Sequence, residues 1–215
     1  MTNPDIPIRS IEEILAHDAL VDQAVCGMTL AGPEETRFKE QGAHDSTPTP
    51  YFVLDELFGH FALNERSHLL DVGCGTGRVL AQFLRLGCPG RATGIELDPA
   101  LAAKARAWSG GHGAIRVLQG DVRELDLGKY TDFYLFNPFD SGVLMQFIYT
   151  VEQQVKHPCT VIHMSDNGET WLFTGRDGWT ELASGEFKHY RNSRGYPVKF
   201  YDHPQHYTVW HHDPV

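Results

Sequence analysis

The stretch Leu69-Leu-Asp-Val-Gly-Cys-Gly-Thr-Gly-Arg-Val-Leu80 decides how this chain is read. A short apolar run ends on an acid, three glycines alternate with other residues, and a helical pattern follows. Glycine lets a backbone turn tightly and come close to a ligand at the N-terminus of the next helix. The dinucleotide fingerprint Gly-x-Gly-x-x-Gly would need glycine at position 78, where arginine stands, so a nicotinamide dehydrogenase is disfavoured. The pattern is instead Asp-x-Gly-x-Gly-x-Gly. Asp71 belongs at the carboxyl end of a strand, facing the crevice where open α/β sheets bind ligands. A carboxylate there repels a pyrophosphate and suits a ligand that carries an ammonium group.

Outward from this turn the pattern repeats. HLLDVG, RATGIEL, AIRVLQGD, DFYLFN and PCTVIHMS read as strands. GRVLAQFLRLG, PALAAKARAW (Pro99 in its first turn) and SGVLMQFIYTVEQQV read as the helices between them. Such alternation predicts a doubly wound, Rossmann-like α/β fold with a mainly parallel sheet. WTELASGEFKHY, YPVKFYD and HYTVWHH follow without helices between them, which predicts antiparallel strands at one sheet edge near the C-terminus. Upstream, residues 10–25 read as an amphipathic helix. Ser10 and Glu13 form a capping box, and Ile11, Ile14, Leu15, Ala19, Val21 and Val25 lie roughly on one face. Residues 26–50, with Gly32, Pro33, Gly42, Pro48 and Pro50, read as a linker or lid, and 51–62 resume helical periodicity. The expected division is an N-terminal helical arm over 1–47 and an α/β domain over 48–215.

Three further stretches fall at strand ends in order. GIELDP puts Glu96 19 residues past Gly77, QGDV carries Asp121, and YLFNPF carries Asn137, Pro138 and Phe139. With these motifs, residues about 48–165 resemble the class I S-adenosylmethionine-dependent methyltransferases. The resemblance implies that Asp71, Gly73, Gly75 and Gly77 hold the methionine moiety of S-adenosylmethionine. It further implies that Glu96, with Leu97, holds the ribose and that Asp121, with Val122, holds the adenine. Asn137 would stand beside the cofactor, and Asn137, Pro138 and Phe139 would face the methyl acceptor. Amino-group methyltransferases often carry a second proline here. This chain has one, which shifts the aromatic ring relative to the amide and argues against stacking on a flipped base. The pattern is similar to that of a small group with Phe-Asn-Pro-Phe and an upstream Thr-Pro-Tyr-like segment, here STPTPYFVLDELF. That brings in Thr49 and Tyr51, which otherwise read as a helix cap (with Pro50 at the first helical position) and a packed aromatic. Asn137 also reads as a strand-end residue bonded to its own turn. A neutral amide is no strong base, so an amine acceptor would lose its proton to water or to a nearby group, for which His163 is the candidate.

The totals bound the rest. The 215 residues, 41% of them apolar, suffice for one large domain with a full core. No apolar run approaches the ~18 residues of a membrane helix, and no basic-then-apolar leader opens the chain, so a soluble, cytoplasmic protein is expected. A net charge of −10 lacks the footprint of a nucleic-acid binder, and Lys188, Arg191, Arg194 and Lys199 read as an ordinary solvated face. Cysteines 26, 74, 88 and 159 form no Cys-x-x-Cys pair and read as reduced packing residues. His206 and His212 would share a strand face too far apart for one metal, and His203, His211, His212 and Asp213 meet only if a loop folds back, so no metal is expected. The aromatics of the C-terminal part read as core and cross-strand pairs. The expected function is methyl transfer to a nucleophile, nitrogen foremost, of a protein side chain or small molecule. The alternative is a non-catalytic S-adenosylmethionine-binding sensor or partner subunit.

Overall fold

The computed structural model describes residues 10–30, 32, 35–187, 190–191, 197–198 and 205–215. Its frame is a seven-stranded sheet of β1 (His68–Val72), β2 (Arg91–Glu96), β3 (Ile115–Gln119), β4 (Asp132–Phe136), β5 (Cys159–Met164), β6 (Trp179–Phe187) and β9 (Gln205–His212), in the order β3-β2-β1-β4-β5-β9-β6. The first five strands are parallel, and β9 runs antiparallel to both its neighbours. The antiparallel strand is therefore inserted inside the sheet, and β6 forms the edge. The remaining pair, β7 (Tyr190–Arg191) and β8 (Pro197–Val198), is a separate two-stranded ribbon. Beyond Pro197 and Val198 the expected strand YPVKFYD lies outside the described residues. So do His203 and the side chains of the Lys188, Arg191, Arg194 and Lys199 group.

Alternation along the strands divides the core in two. Leu69, Tyr134 and Ile162 face one side with α2 (Tyr51–Leu57), α3 (Arg78–Arg85) and α4 (Pro99–Ser109). Leu70, Phe133 and Val161 face the other with α5 (Ser141–Gln154). Helices α4 and α5 begin where the sequence supplies a side-chain cap. The Asp98 carboxylate accepts from the amides of Ala100 and Leu101 ahead of α4, and Asp140 accepts from Val143 ahead of α5. On the far face, Phe173 stacks on Trp210 at 4.9 Å and Trp179 on His212 at 4.7 Å, so most of the C-terminal aromatics among the described residues are core. Trp171 is exposed. All four cysteines are free thiols, and no metal-ligating cluster occurs among the described residues.

The arm departs from its expected face. Helix α1 (Ile11–Cys26) starts at Ser10, whose hydroxyl accepts from the Glu13 amide, and ends at Gly27. Ile14 is buried, but Ile11 and Leu15 are exposed, and the other fully buried positions are Asp18 and Asp22. The cause is Arg78. Its guanidinium grips Asp22 through Nε (3.2 Å) and Nη2 (2.8 Å), and reaches Asp18 through Nη1 (3.2 Å). The remaining acceptor sites of Asp22 take the Tyr51 hydroxyl (2.8 Å) and the Leu30 amide (2.9 Å). Tyr51 is thus a core residue under this cluster and has no place at an acceptor site. Two carboxylates meet one guanidinium, and burial pushes Asp18 up to about 6 despite Arg78.

Removing one partner of a buried ion cluster leaves an uncompensated charge, at a cost of about 3–5 kcal/mol. Arg78→Leu or Asp22→Ala is therefore expected to lower urea stability by that order. Asp18→Asn should be nearly neutral. The folded pKa of Asp18 lies above its unfolded value, so its contribution to wild-type stability falls as pH rises from about 4 towards 6. Asp18→Asn should flatten that slope in unfolding curves measured across the window.

Candidate active site

At the carboxyl ends of β1, β2 and β4 lies a cavity lined by the glycine turn and the strand-end acids. Its floor is the glycine turn. Gly73 (φ 72°) and Gly75 (φ 54°) have left-handed backbone that other residues adopt only under strain. A side chain at Gly73 would meet Pro138 at 2.7 Å, and one at Gly75 would meet Ser46 Oγ at 2.6 Å. Gly77 does not border the cavity. It begins α3 and packs on Trp108, so its role is in helix packing.

The acids expected at the strand ends are brought together in unequal states. Asp71 is 2% exposed, and its Oδ2 is buried without a hydrogen-bond partner among the described residues. Burial, and after it the Glu96 charge, raises the Asp71 carboxyl well above the usual carboxylate range. Glu96 is also raised by burial, but its oxygens accept from the amides of Gly75 (2.7 Å) and Asp98 (2.8 Å). Its carboxylate therefore holds the glycine turn to the end of β2 as well as facing the cavity. Asp121 borders the cavity with Leu97, Gly120 and Val122, and is held by the Arg123 side chain and amide, which lower its pKa.

The roof is a strap, residues 36–49, running from the arm back over the glycine turn. Thr76 Oγ1 donates to the Leu30 carbonyl just before it. The His44 amide donates to the Pro138 carbonyl (3.0 Å), and Ala43 bridges Phe139. Thr49 does not cap α2. Pro50 occupies the cap position, while the Thr49 hydroxyl meets the Tyr134 hydroxyl (2.9 Å) at the cavity wall.

The Asn-Pro-Phe turn is split by this arrangement. Pro138 and Phe139 border the main cavity, but Phe139 is 7% exposed and packs on Phe147, so its ring is chiefly core. Asn137 (φ 39°) has the left-handed backbone that asparagine tolerates better than most residues. It borders a second, more open hollow with Lys39, Asp140, Ser165 and Gln205. The two hollows share Ala43, His44, Asp45, Thr47 and Phe136 as a common wall. His163 is in neither. It is buried beside Phe173, and burial pushes it down to about 4, so it is a neutral core residue and cannot serve the site. Sequence reasoning missed His44. No local pattern marks a histidine in a strap, and its partners lie about ninety residues downstream.

Residues 69–153 match a family model described as a methyltransferase domain. The trans-aconitate 2-methyltransferase of Enterobacter sp. (strain 638) is 36% identical over 69 residues, 32% of this chain and 26% of that protein. The chain thus spans about a quarter of the curated relative it matches. Among solved structures, the RNA methyltransferase from Salinibacter ruber, in complex with S-adenosyl-L-homocysteine, superposes with a TM-score of 0.57 at 22% identity, over 78% of this chain and 94% of that one. Precorrin-6y C5,15-methyltransferase from Geobacter metallireducens GS-15 gives 0.61 at 14%, over 81% and 95%. The putative methyltransferase yhhF from Escherichia coli gives 0.59 at 18%, over 76% and 88%. At these identities the structures establish the fold alone, which is Rossmann-like, and the family model matches less than half of the chain. Among the described residues no helix is long and apolar enough to cross a membrane.

The orphaned acid gives a direct test. Folded Asp71 keeps its proton where the unfolded chain has lost it, so its presence costs stability increasingly as pH rises above about 4. Asp71→Asn should raise the melting temperature of the ligand-free protein, by about 2–4 °C for each kcal/mol relieved. The gain should be larger at pH 8 than at pH 5 in thermal denaturation.

Proposed function

We propose that this chain binds S-adenosylmethionine in the main cavity and transfers its methyl group to a nitrogen nucleophile of a protein side chain or small molecule. The observation that carries the reading is Asp71, whose buried Oδ2 has no partner among the described residues, at the glycine-lined end of the main cavity. A ligand ammonium is the group that such an oxygen lacks. Asp71, Gly73 and Gly75 would hold the methionine end. Glu96 and Leu97 would hold the ribose, and Asp121, which can accept more bonds than Arg123 uses, would hold the adenine with Val122. Bound there, S-adenosylmethionine would supply an electrophilic methyl group on a cationic sulfur. The chain's share is alignment of donor and acceptor, with water kept out by the strap. The acceptor would enter by the second hollow, whose Asn137 amide, Ser165 hydroxyl and Gln205 amide suit a polar, hydrogen-bonding group. Pro138 would separate the two ligands. The net charge of −10 favours a protein or small-molecule acceptor over nucleic acid.

A second reading has one observation behind it. The carbonyls of Asn137 and Pro138 are both engaged by His44, which leaves fewer acceptors to orient a target amine. A cofactor-binding sensor or partner subunit without catalysis would tolerate that. In calorimetric titration, S-adenosylmethionine and S-adenosylhomocysteine should bind the wild type and release protons, because a ligand ammonium favours ionised Asp71. Affinity should rise with pH. Asp71→Ala should weaken binding about 10- to 100-fold. Asn137→Ala should leave binding intact and lower the transfer of tritiated methyl groups into cell extract. Binding without any transfer by the wild type would favour the sensor, and no binding by the folded protein would end both readings.

A further inference from the structure

We propose that His44 is the general base of the reaction and that the acceptor is one whose nucleophile carries a proton, such as an amine, rather than a carboxylate. The inference rests on the methyl-transfer reading above and assigns the proton step that Asn137 and His163 leave open.

The argument starts from one hydrogen bond. His44 Nδ1 lies 2.9 Å from the Asn137 carbonyl oxygen. A carbonyl can only accept, so Nδ1 carries the hydrogen and neutral His44 has its lone pair on Nε2. Among the described residues Nε2 has no hydrogen-bond partner. The backbone holds the ring from the same side, since the His44 amide donates to the Pro138 carbonyl. The imidazole is thus oriented twice over by the turn that separates the two hollows, and it borders both of them. That wall is where an acceptor in the outer hollow would meet a methyl group in the inner one. His44 is also exposed, so a proton it accepts can pass to water.

The charged groups around the ring do not compete for the role. Lys39 and Asp45 are paired with each other at 3.3 Å, and the Asp140 carboxylate caps α5. Across the main cavity Asp121 is held by Arg123, and Asp71 and Glu96 belong to the opposite, glycine-lined wall. The step balances simply. The acceptor nucleophile bonds to the methyl carbon, the carbon–sulfur bond breaks with its electron pair going to sulfur, and the displaced proton goes to His44 Nε2 and then to solvent. A carboxylate acceptor has no proton to give and would need no such base.

The test has two readouts. In a long-range proton–nitrogen correlation spectrum of the full chain with S-adenosylhomocysteine added, His44 should read as the neutral Nδ1–H tautomer. His44→Asn keeps a donor for the Asn137 carbonyl but has no base. It should bind S-adenosylhomocysteine within about threefold of wild type, while transfer of tritiated methyl groups into extract falls about 10²- to 10³-fold. At saturating S-adenosylmethionine, where the pH dependence of binding no longer enters, the acid limb of its pH–rate profile should vanish. Added imidazole should restore part of the activity to His44→Ala.

An Nε2–H tautomer overturns the proposal. So does a His44→Asn variant that transfers at the wild-type rate with an unchanged pH profile, or one whose lost activity is matched by lost ligand binding. A wild type that binds S-adenosylhomocysteine and transfers nothing removes the base together with the reaction. Failure to bind the ligand at all counts against the functional reading itself.

Discussion

The buried grip of Arg78 on Asp22 and Asp18 is the interaction on which the rest of the structure depends. Arg78 is the first residue of α3, directly after the glycine turn, and the two acids belong to a helix more than fifty residues upstream. An ion pair out of water needs its geometry and its remaining hydrogen bonds satisfied. Here the Tyr51 hydroxyl and the Leu30 amide complete Asp22, so the cluster ties α1, the chain leaving it and α2 to one point beside the turn. Everything the strap does follows from where that anchor starts it. The Leu30 carbonyl then receives Thr76 from the turn itself, and fourteen strap positions later the cavity is roofed.

The same economy of charge runs through the cavity. Asp71 and Glu96 stand at neighbouring strand ends, but only one of them is committed. Glu96 has two backbone amides, one from the glycine turn and one from the start of α4, and so holds the loop that makes the site. Asp71 has none for Oδ2 among the described residues, and burial favours its protonated form. A group that is costly to the empty protein and cheap once a cation arrives is what the proposed binding of a ligand ammonium relies on.

The Asn-Pro-Phe turn shows how one short motif can be shared between structure and chemistry. Phe139 completes the core against Phe147, and Pro138 packs against Gly73 so closely that no side chain fits there. Asn137 accepts the strained backbone and offers its carbonyl to His44. The main-chain oxygens that could have met a ligand instead orient a histidine, so the strap is a wall of the site and also a source of its side chains.

The alternation of strands and helices, the glycine turn and the positions of Asp71, Glu96 and Asp121 at strand ends were all legible in the sequence. They are written in local periods, in caps such as Asp98 and Asp140, and in the backbone freedom of glycine, each of which acts within a few residues. The insertion of β9 between β5 and β6 was not legible, because strand order is a matter of pairing across the sheet. Nor was the inward turn of Asp18 and Asp22, since an amphipathic pattern counts acids as solvent-facing until a buried guanidinium reverses the sign. Gly77, Tyr51 and His163 matched a plausible site by position but lie outside both hollows, packed against their neighbours, whereas His44, in a strap without periodicity, stands at the junction of the two hollows. The sequence by itself determined the elements and the acid at the mouth of β1. Only the tertiary structure decided which side chains meet there, because a hydrogen bond spanning 93 residues leaves no mark on the residues around either end.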